Sequence, residues 1–124
     1  SLADGGRVLL QAITVKDSFF ETYKSSSDYI RQYVFPGGML LSDNVIATQA
    51  QNAGLQVRDN FAFGQDYART CRIWAERLTG QKRKIDELGY GEGFFRNWQY
   101  YLEICAASFA IGHTNVVQVE LAHA

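Results

Sequence analysis

The sequence is poor in the groups that usually announce chemistry or a compartment. It has two cysteines, two histidines, one proline and one methionine in 124 residues. Cys71 and Cys105 lie far apart and form no CxxC pair, and a zinc site would have to draw on both His113 and His123, so no metal site is expected. Both cysteines fall in apolar helical patterns, beside Trp74 and beside Ala106-Ala107, and read as reduced core thiols. A single disulfide is the alternative, but nothing else points to an oxidising compartment. His113 follows Gly112 at an expected helix end, where a cation is comfortable, and His123 is in the tail. Neither has the neighbouring acid and nucleophile of a triad. An excess of one charge is missing too: 12 Lys and Arg oppose 13 Asp and Glu, for a net charge of -1. A chain that neutralises many phosphates needs excess positive charge, so no nucleic-acid partner is expected. Long apolar runs are absent, and residues 104–111 fall well short of the roughly 20 residues of a membrane-spanning helix.

What is present is a good core. At 47% hydrophobic and 20% charged, the chain is too apolar and too balanced to be disordered, and its length suits one compact unit. It begins at Ser1 and runs almost at once into Gly5-Gly6 and an apolar stretch, with no charged n-region and no cleavage site. That beginning reads as a cut through something larger.

Residues 7–15 (RVLLQAITV) are nearly continuous in apolar and β-branched residues, as in a strand buried on both faces of a parallel sheet. Residues 16–38 are irregular and aromatic, with Phe19, Phe20, Tyr23, Tyr29, Tyr33 and Phe35, a Ser25-Ser26-Ser27 stretch, and a short helix expected over 28–34. Phe35-Pro36-Gly37-Gly38 is a firm break. Ser42 caps a helix over 43–53 that Gly54 ends. Leu55, Val57, Phe61 and Phe63 alternate with polar residues, the pattern of a half-buried strand. After Gly64-Gln65-Asp66 comes a helix with Tyr67, Cys71, Trp74 and Leu78 as its apolar stripe. A short basic helix (82–88), a hinge at 91–93, a long aromatic helix closed by Gly112, and a final strand (116–121) follow. Strands alternating with helices argue for an α/β sheet, with the final strand able to insert between the other two, antiparallel to one of them.

Two segments are more particular: Tyr33-Val34-Phe35-Pro36-Gly37-Gly38-Met39-Leu40-Leu41-Ser42 and Asp66-Tyr67-Ala68-Arg69-Thr70-Cys71-Arg72-Ile73-Trp74-Ala75-Glu76-Arg77. With the aromatic helix 94–109 and the closing Val116-Val117-Gln118-Val119, they resemble, in order and in register, the C-terminal half of the cyclopropane-fatty-acyl-phospholipid synthases and mycolic acid cyclopropane synthases. These are S-adenosylmethionine-dependent methyltransferases with a Rossmann-like class I fold. The resemblance implies that residues 1–124 are a C-terminal fragment of such a catalytic domain. They would supply its last three strands, with the final strand antiparallel.

The resemblance further implies the chemistry. A methyl group moves from S-adenosylmethionine to the double bond of an unsaturated phospholipid acyl chain, a carbocation forms, and a bound bicarbonate takes a proton as the cyclopropane closes. The family tyrosine that hydrogen-bonds bicarbonate falls on Tyr67. A phenol holds an anion without adding charge, and the N-terminal amides of its helix would favour the same anion. Tyr33 and Phe35 are implied acyl-pocket residues, with Phe19, Phe20 and Tyr23 beside them. An apolar slot suits an acyl chain, and ring faces favour a developing cation. Phe94, Phe95, Trp98, Phe109, Trp74 and Arg69 read as structure.

The other bicarbonate ligands and the glycine-rich cofactor loop lie upstream in the family. The fragment is therefore expected to bind no S-adenosylmethionine and to be inactive alone, and neither cysteine inherits a role. Leu41, Cys71 and Ala110 depart from the family proline, leucine and arginine, which suits a diverged member. The implied setting is cytoplasmic, peripheral to the inner face of the membrane. The free edge of the first strand would favour a homodimer. Lys82, Arg83 and Lys84 could touch anionic lipid, but a solvated helix face is the preferred reading. The remaining alternatives are a relative that adds a methyl branch or acts on a small molecule, and a stand-alone α/β interaction domain without chemistry.

Overall fold

The computed structural model describes residues 2–26 and 28–124; Ser27, the last of the three-serine stretch, lies outside the described residues. Three strands form one sheet: β1 (Val8–Val15), β2 (Leu55–Ala62) and β3 (Thr114–His123), in the order β1-β3-β2. The last strand therefore does insert between the other two. It is antiparallel to both rather than to one, pairing Leu10 with Val119 on one side and Phe61 with Gln118 on the other. The helices are α1 (Phe20–Ser25), α2 (Asp43–Asn52), α3 (Gly64–Gly80), α4 (Lys82–Glu87) and α5 (Gly91–Ala110).

Alternation along β3 divides the core. Val117, Val119 and Leu121 face α2, where Ile46 and Ala50 meet them. Val116 faces the other way, onto Ala68 and Cys71 of α3 and Ala106 and Phe109 of α5. α2 starts where expected. Ser42 is buried and its hydroxyl accepts the N–H of Val45 at 3.2 Å. The helix ends one residue earlier than expected, and Gly54 follows at φ +78°, a value a side chain would strain.

Several expectations need correction. β1 is not buried on both faces of a parallel sheet. Its ladder is antiparallel, its one parallel contact among the described residues is the Thr14–Leu41 bridge, and Leu9 is 77% exposed. The helices α3 and α5 cover Val116 and do not reach the Leu9 end. β2 is not half-buried: only Leu55 is partly covered, because β2 is an edge strand that bulges between Val57 and Asp59. Trp74 is not in the buried stripe of α3. Gly64, Ala68 and Cys71 are the buried residues, small enough to let α3 lie close to its neighbours, and the indole is displaced to the surface. Phe94 is likewise largely outside the core. The segment expected as a hinge at 91–93 is already the first turn of α5. Glu92, held by Lys82 and Arg96, fixes that turn, and the chain bends at its start, where Gly89 and Gly91 both have positive φ. The expected helix over 28–34 is a π-helical turn, Ile30–Val34.

Candidate functional site

An apolar cavity of about 460 Å³ opens between the end of β1, the aromatic segment after it, and one side of α5. Ile13 and Val15 form its sheet wall. Phe19, Tyr23 and Phe35 come from the irregular region, and Tyr101, Ile104 and Cys105 from α5. The turn at Phe35-Pro36-Gly37-Gly38 brings Phe35 back over the opening, edge-on to Tyr101 with ring centres 5.8 Å apart. Phe19 tilts against His113 at 4.3 Å, which draws the loop after α5 into the wall.

Polar groups at this wall are already engaged. The Tyr23 hydroxyl accepts the N–H of Leu40 at 2.8 Å, tying α1 to the segment after the glycine turn. Arg31 lies with its guanidinium 4.0 Å above the Tyr23 ring, donates to the Tyr23 carbonyl at 2.7 Å, and pairs with Asp28 at 2.9 Å. Its side chain is only 14% exposed, so the charge is neutralised where it stands rather than solvated. Burial pushes the Tyr101 phenol up to about 12 and the Cys105 thiol up to about 11. Both therefore stay neutral at ordinary pH, as an apolar wall requires.

The five acyl-pocket candidates separate. Phe19, Tyr23 and Phe35 line the cavity. Phe20 does not: it is buried beneath it with Val15 and Tyr23. Tyr33 is 65% exposed and packs on Tyr29 outside the cavity. Tyr67 is not in the lining either. It sits half-buried in the first turn of α3, between Phe63 and Phe109 with both ring centres at 5.8 Å, and Phe109 itself reaches the cavity. Tyr67 is thus one ring behind the apolar space. The amide cradle expected at its helix start is largely absent. Gly64 donates its N–H to Asn115 at 2.8 Å, and Asp66 and Tyr67 donate theirs to the Phe63 carbonyl. The first turn of α3 therefore offers a bicarbonate anion little beyond the Tyr67 hydroxyl.

Sequence reasoning passed over Tyr101, Ile104, Cys105 and Ser108, which line the cavity from α5. Their signal was a second stripe, at 101, 104/105 and 108, beside the buried one at 95, 102, 106 and 109. Arg31 was also missed, since a lone arginine in an aromatic segment has no distinguishing spacing. The cysteines are free, as expected, with burial raising Cys71 as well. Among the described residues no cluster suits a metal and no helix is long and apolar enough to cross a membrane. In the basic cluster, Lys82 pairs with Glu92 and Arg83 with Glu87, both on exposed helix faces.

The profile of the family described as mycolic acid cyclopropane synthetase matches residues 1–119. The tuberculostearic acid methyltransferase of Mycobacterium tuberculosis is 35% identical over 115 residues, covering 92% of this chain and 27% of that protein. The cyclopropane-fatty-acyl-phospholipid synthase of Escherichia coli is 35% identical over 91 residues, covering 73% of this chain and 23% of its own length. The chain thus spans about a quarter of the length of these relatives. A mycolic acid cyclopropane synthase solved with SAH and CTAB superimposes with a TM-score of 0.81 at 26% identity, over 94% of this chain and 44% of that one. The fold is thereby the α/β class I methyltransferase fold expected from the sequence. With the profile matched over nearly its whole length and its strands in the same arrangement, the chain belongs to the mycolic acid cyclopropane synthetase family.

Proposed function

We propose that residues 1–124 are the C-terminal part of the catalytic domain of an S-adenosylmethionine-dependent methyltransferase acting on the double bond of unsaturated phospholipid acyl chains. The carrying observation is the aromatic cavity, whose wall combines residues before the Phe-Pro-Gly-Gly turn with the apolar stripe of α5. Such a slot excludes water and accepts a hydrocarbon chain. The ring faces of Phe19, Phe35 and Tyr101 would stabilise positive charge developing at the former alkene carbons. Arg31 does not oppose that charge, because Asp28 neutralises it.

When bound, S-adenosylmethionine supplies the methyl group; a relative solved with SAH, the demethylated cofactor, supports that choice. No residue of this chain is assigned to it. Tyr67 is the candidate to hold bicarbonate, on the strength of its motif and of a phenol that packs through Phe109 toward the cavity. In this reading the chain's own residues hold the acyl chain and exclude water, and the carbocation loses a proton to close a cyclopropane. The setting would be the membrane surface, where such lipids reside.

A second product is favoured by one observation: the tuberculostearic acid methyltransferase aligns over more of this chain than the ring-forming Escherichia coli enzyme. A methyl-branched alkene would then replace the ring, the cation losing a proton to restore the double bond. Both readings are tested in lipids extracted from cells expressing the longer protein. A gain of one CH2 on unsaturated chains with upfield cyclopropane proton signals is expected. The same gain without those signals would select the branch. No gain on any unsaturated chain would leave only the small-molecule and non-catalytic readings.

A further inference from the structure

α5 carries two neighbouring stripes of different chemistry. Tyr101, Ile104, Cys105 and Ser108 face the cavity. Gly93, Arg96, Asn97, Tyr100 and Glu103 line an open groove of about 630 Å³ on the adjoining side. Each stripe recurs every three or four residues, so one helix builds both sites side by side. Tyr29 is their common wall: it lines both, stands edge-on to Tyr100 with ring centres 4.6 Å apart, and donates its hydroxyl to the Asn97 side-chain oxygen.

The groove holds both signs of charge. Glu92 is shared by Lys82 and Arg96, each at 3.1 Å, so one carboxylate faces two cations and the Arg96 end is net positive. Arg96 is 76% exposed, and Glu92 keeps Lys82 as a partner when the guanidinium turns toward a ligand. Glu103 lies two turns further on, about 10 Å along the axis, and has no ion-pair partner among the described residues. The reach of the two side chains narrows that span. Asn97 and Tyr29 add neutral hydrogen-bonding groups between the charges.

We infer that this groove receives the zwitterionic headgroup of a phospholipid whose acyl chain lies in the adjoining cavity, with phosphate on Arg96 and ammonium on Glu103. The inference rests on the acyl reading of the cavity. An arginine suits a phosphate and a carboxylate suits an ammonium, whereas an anionic glycerol headgroup would leave Glu103 unpaired. An amphiphile laid across Tyr29 places each half against matching chemistry.

Amide chemical shifts of the nitrogen-labelled chain, titrated with three probes, test this. The probes are n-decanol, dihexanoylphosphatidylethanolamine and dihexanoylphosphatidylglycerol. Decanol should move the cavity side of α5, Ile104 and Cys105 among it, and leave Arg96, Asn97 and Glu103 unmoved. The ethanolamine lipid should move these and also Arg96, Asn97 and Glu103, and bind about three- to fivefold tighter than the glycerol lipid, the scale of an exposed ion pair. Glu103→Gln should erase that preference. Arg96→Gln should weaken both lipids and leave decanol unchanged. Both positions are on an exposed helix face, and an unchanged melting curve confirms that each variant is folded. If decanol binds the cavity but neither lipid moves the groove, or if Glu103→Gln keeps the preference, the headgroup site is overturned and the acyl cavity stands. If decanol moves nothing in the cavity, the acyl reading falls and the headgroup site with it.

Discussion

The side-chain oxygen of Asn115 accepts the backbone N–H of Gly64 at 2.8 Å, joining the start of the last strand to the start of α3. The same oxygen accepts the N–H of Val116 at 2.9 Å. The contact is so close that a Cβ at Gly64 would collide with that side-chain oxygen and press tightly on the Asn115 backbone. Helix α3, and Tyr67 in its first turn, is therefore placed by one glycine and one amide. Gly64→Ala should cost about 2 kcal/mol, because the methyl would displace the Asn115 side-chain oxygen from the two N–H groups it accepts. Asn115→Ala should cost about 1–3 kcal/mol by leaving a buried N–H without its partner. Urea denaturation checks both, and a stability loss under about 0.5 kcal/mol in each would contradict the joint.

Arg31 is the comparable fixture on the cavity side. It holds the π-helical turn to α1 through the Tyr23 ring, the Tyr23 carbonyl and Asp28. Arg31→Met keeps most of the aliphatic stem and removes the charge. It should cost about 1–3 kcal/mol, and part of the loss should appear as faster amide exchange at residues 30–34 rather than across the sheet. Arg31→Lys should not restore the stability, because an ammonium cannot lie flat on the ring while donating in two directions. Equal stability of the Lys variant and the parent would remove the stacking from this account.

These two fixtures mark where the sequence was readable and where it was not. Strand and helix order followed from periodicity, and the insertion of β3 followed from the family register. Tertiary override explains the misses. Trp74 fits a helical stripe on paper, yet α3 seats its small residues and turns the indole outward. Leu9 looks like core, but α2 covers the opposite face at its end of the sheet, and the face Leu9 lies on is left exposed. At the site, the aromatic residues came from the family resemblance, and of the five only Phe19, Tyr23 and Phe35 line the cavity. The α5 stripe was hidden because cavity-lining and core residues share one spacing. The anion cradle failed at Gly64, whose N–H is taken by a residue 51 positions away that no local pattern reveals.

The cavity wall also sets a pH dependence. Burial raises Tyr101 from 10.0 to about 12 and Cys105 from 9.0 to about 11 in the folded chain, and Cys105 beside Tyr101 adds to the tyrosine's shift. Between each ordinary value and each raised one, the unfolded chain has released a proton that the folded chain keeps. Stability is thus fully present below about pH 9 and declines as pH rises through about 11 and 12. Cys105→Ala should flatten the first part of that decline. For the same reason Cys105 should react with iodoacetamide at pH 8 more slowly than a free cysteine. Alkylation as fast as glutathione's would show the thiol to be neither buried nor raised.

The last prediction separates the cavity from the hydroxyl behind it, in the full methyltransferase proposed above. Phe35 lies in the wall, so Phe35→Ala enlarges the slot and removes a ring face. It should raise KM for the lipid and lower kcat together, since both chain binding and cation stabilisation are lost. Tyr67 does not line the cavity and packs by its ring between Phe63 and Phe109. Tyr67→Phe keeps that packing, so melting temperature and KM should hardly move. If the hydroxyl positions the proton acceptor, kcat should fall about 100-fold, within the range of general acid–base effects. Added bicarbonate should recover part of that loss, which a packing defect would not allow. If kcat is unchanged in Tyr67→Phe, the tyrosine is a structural ring, and the proton acceptor must be held by other groups.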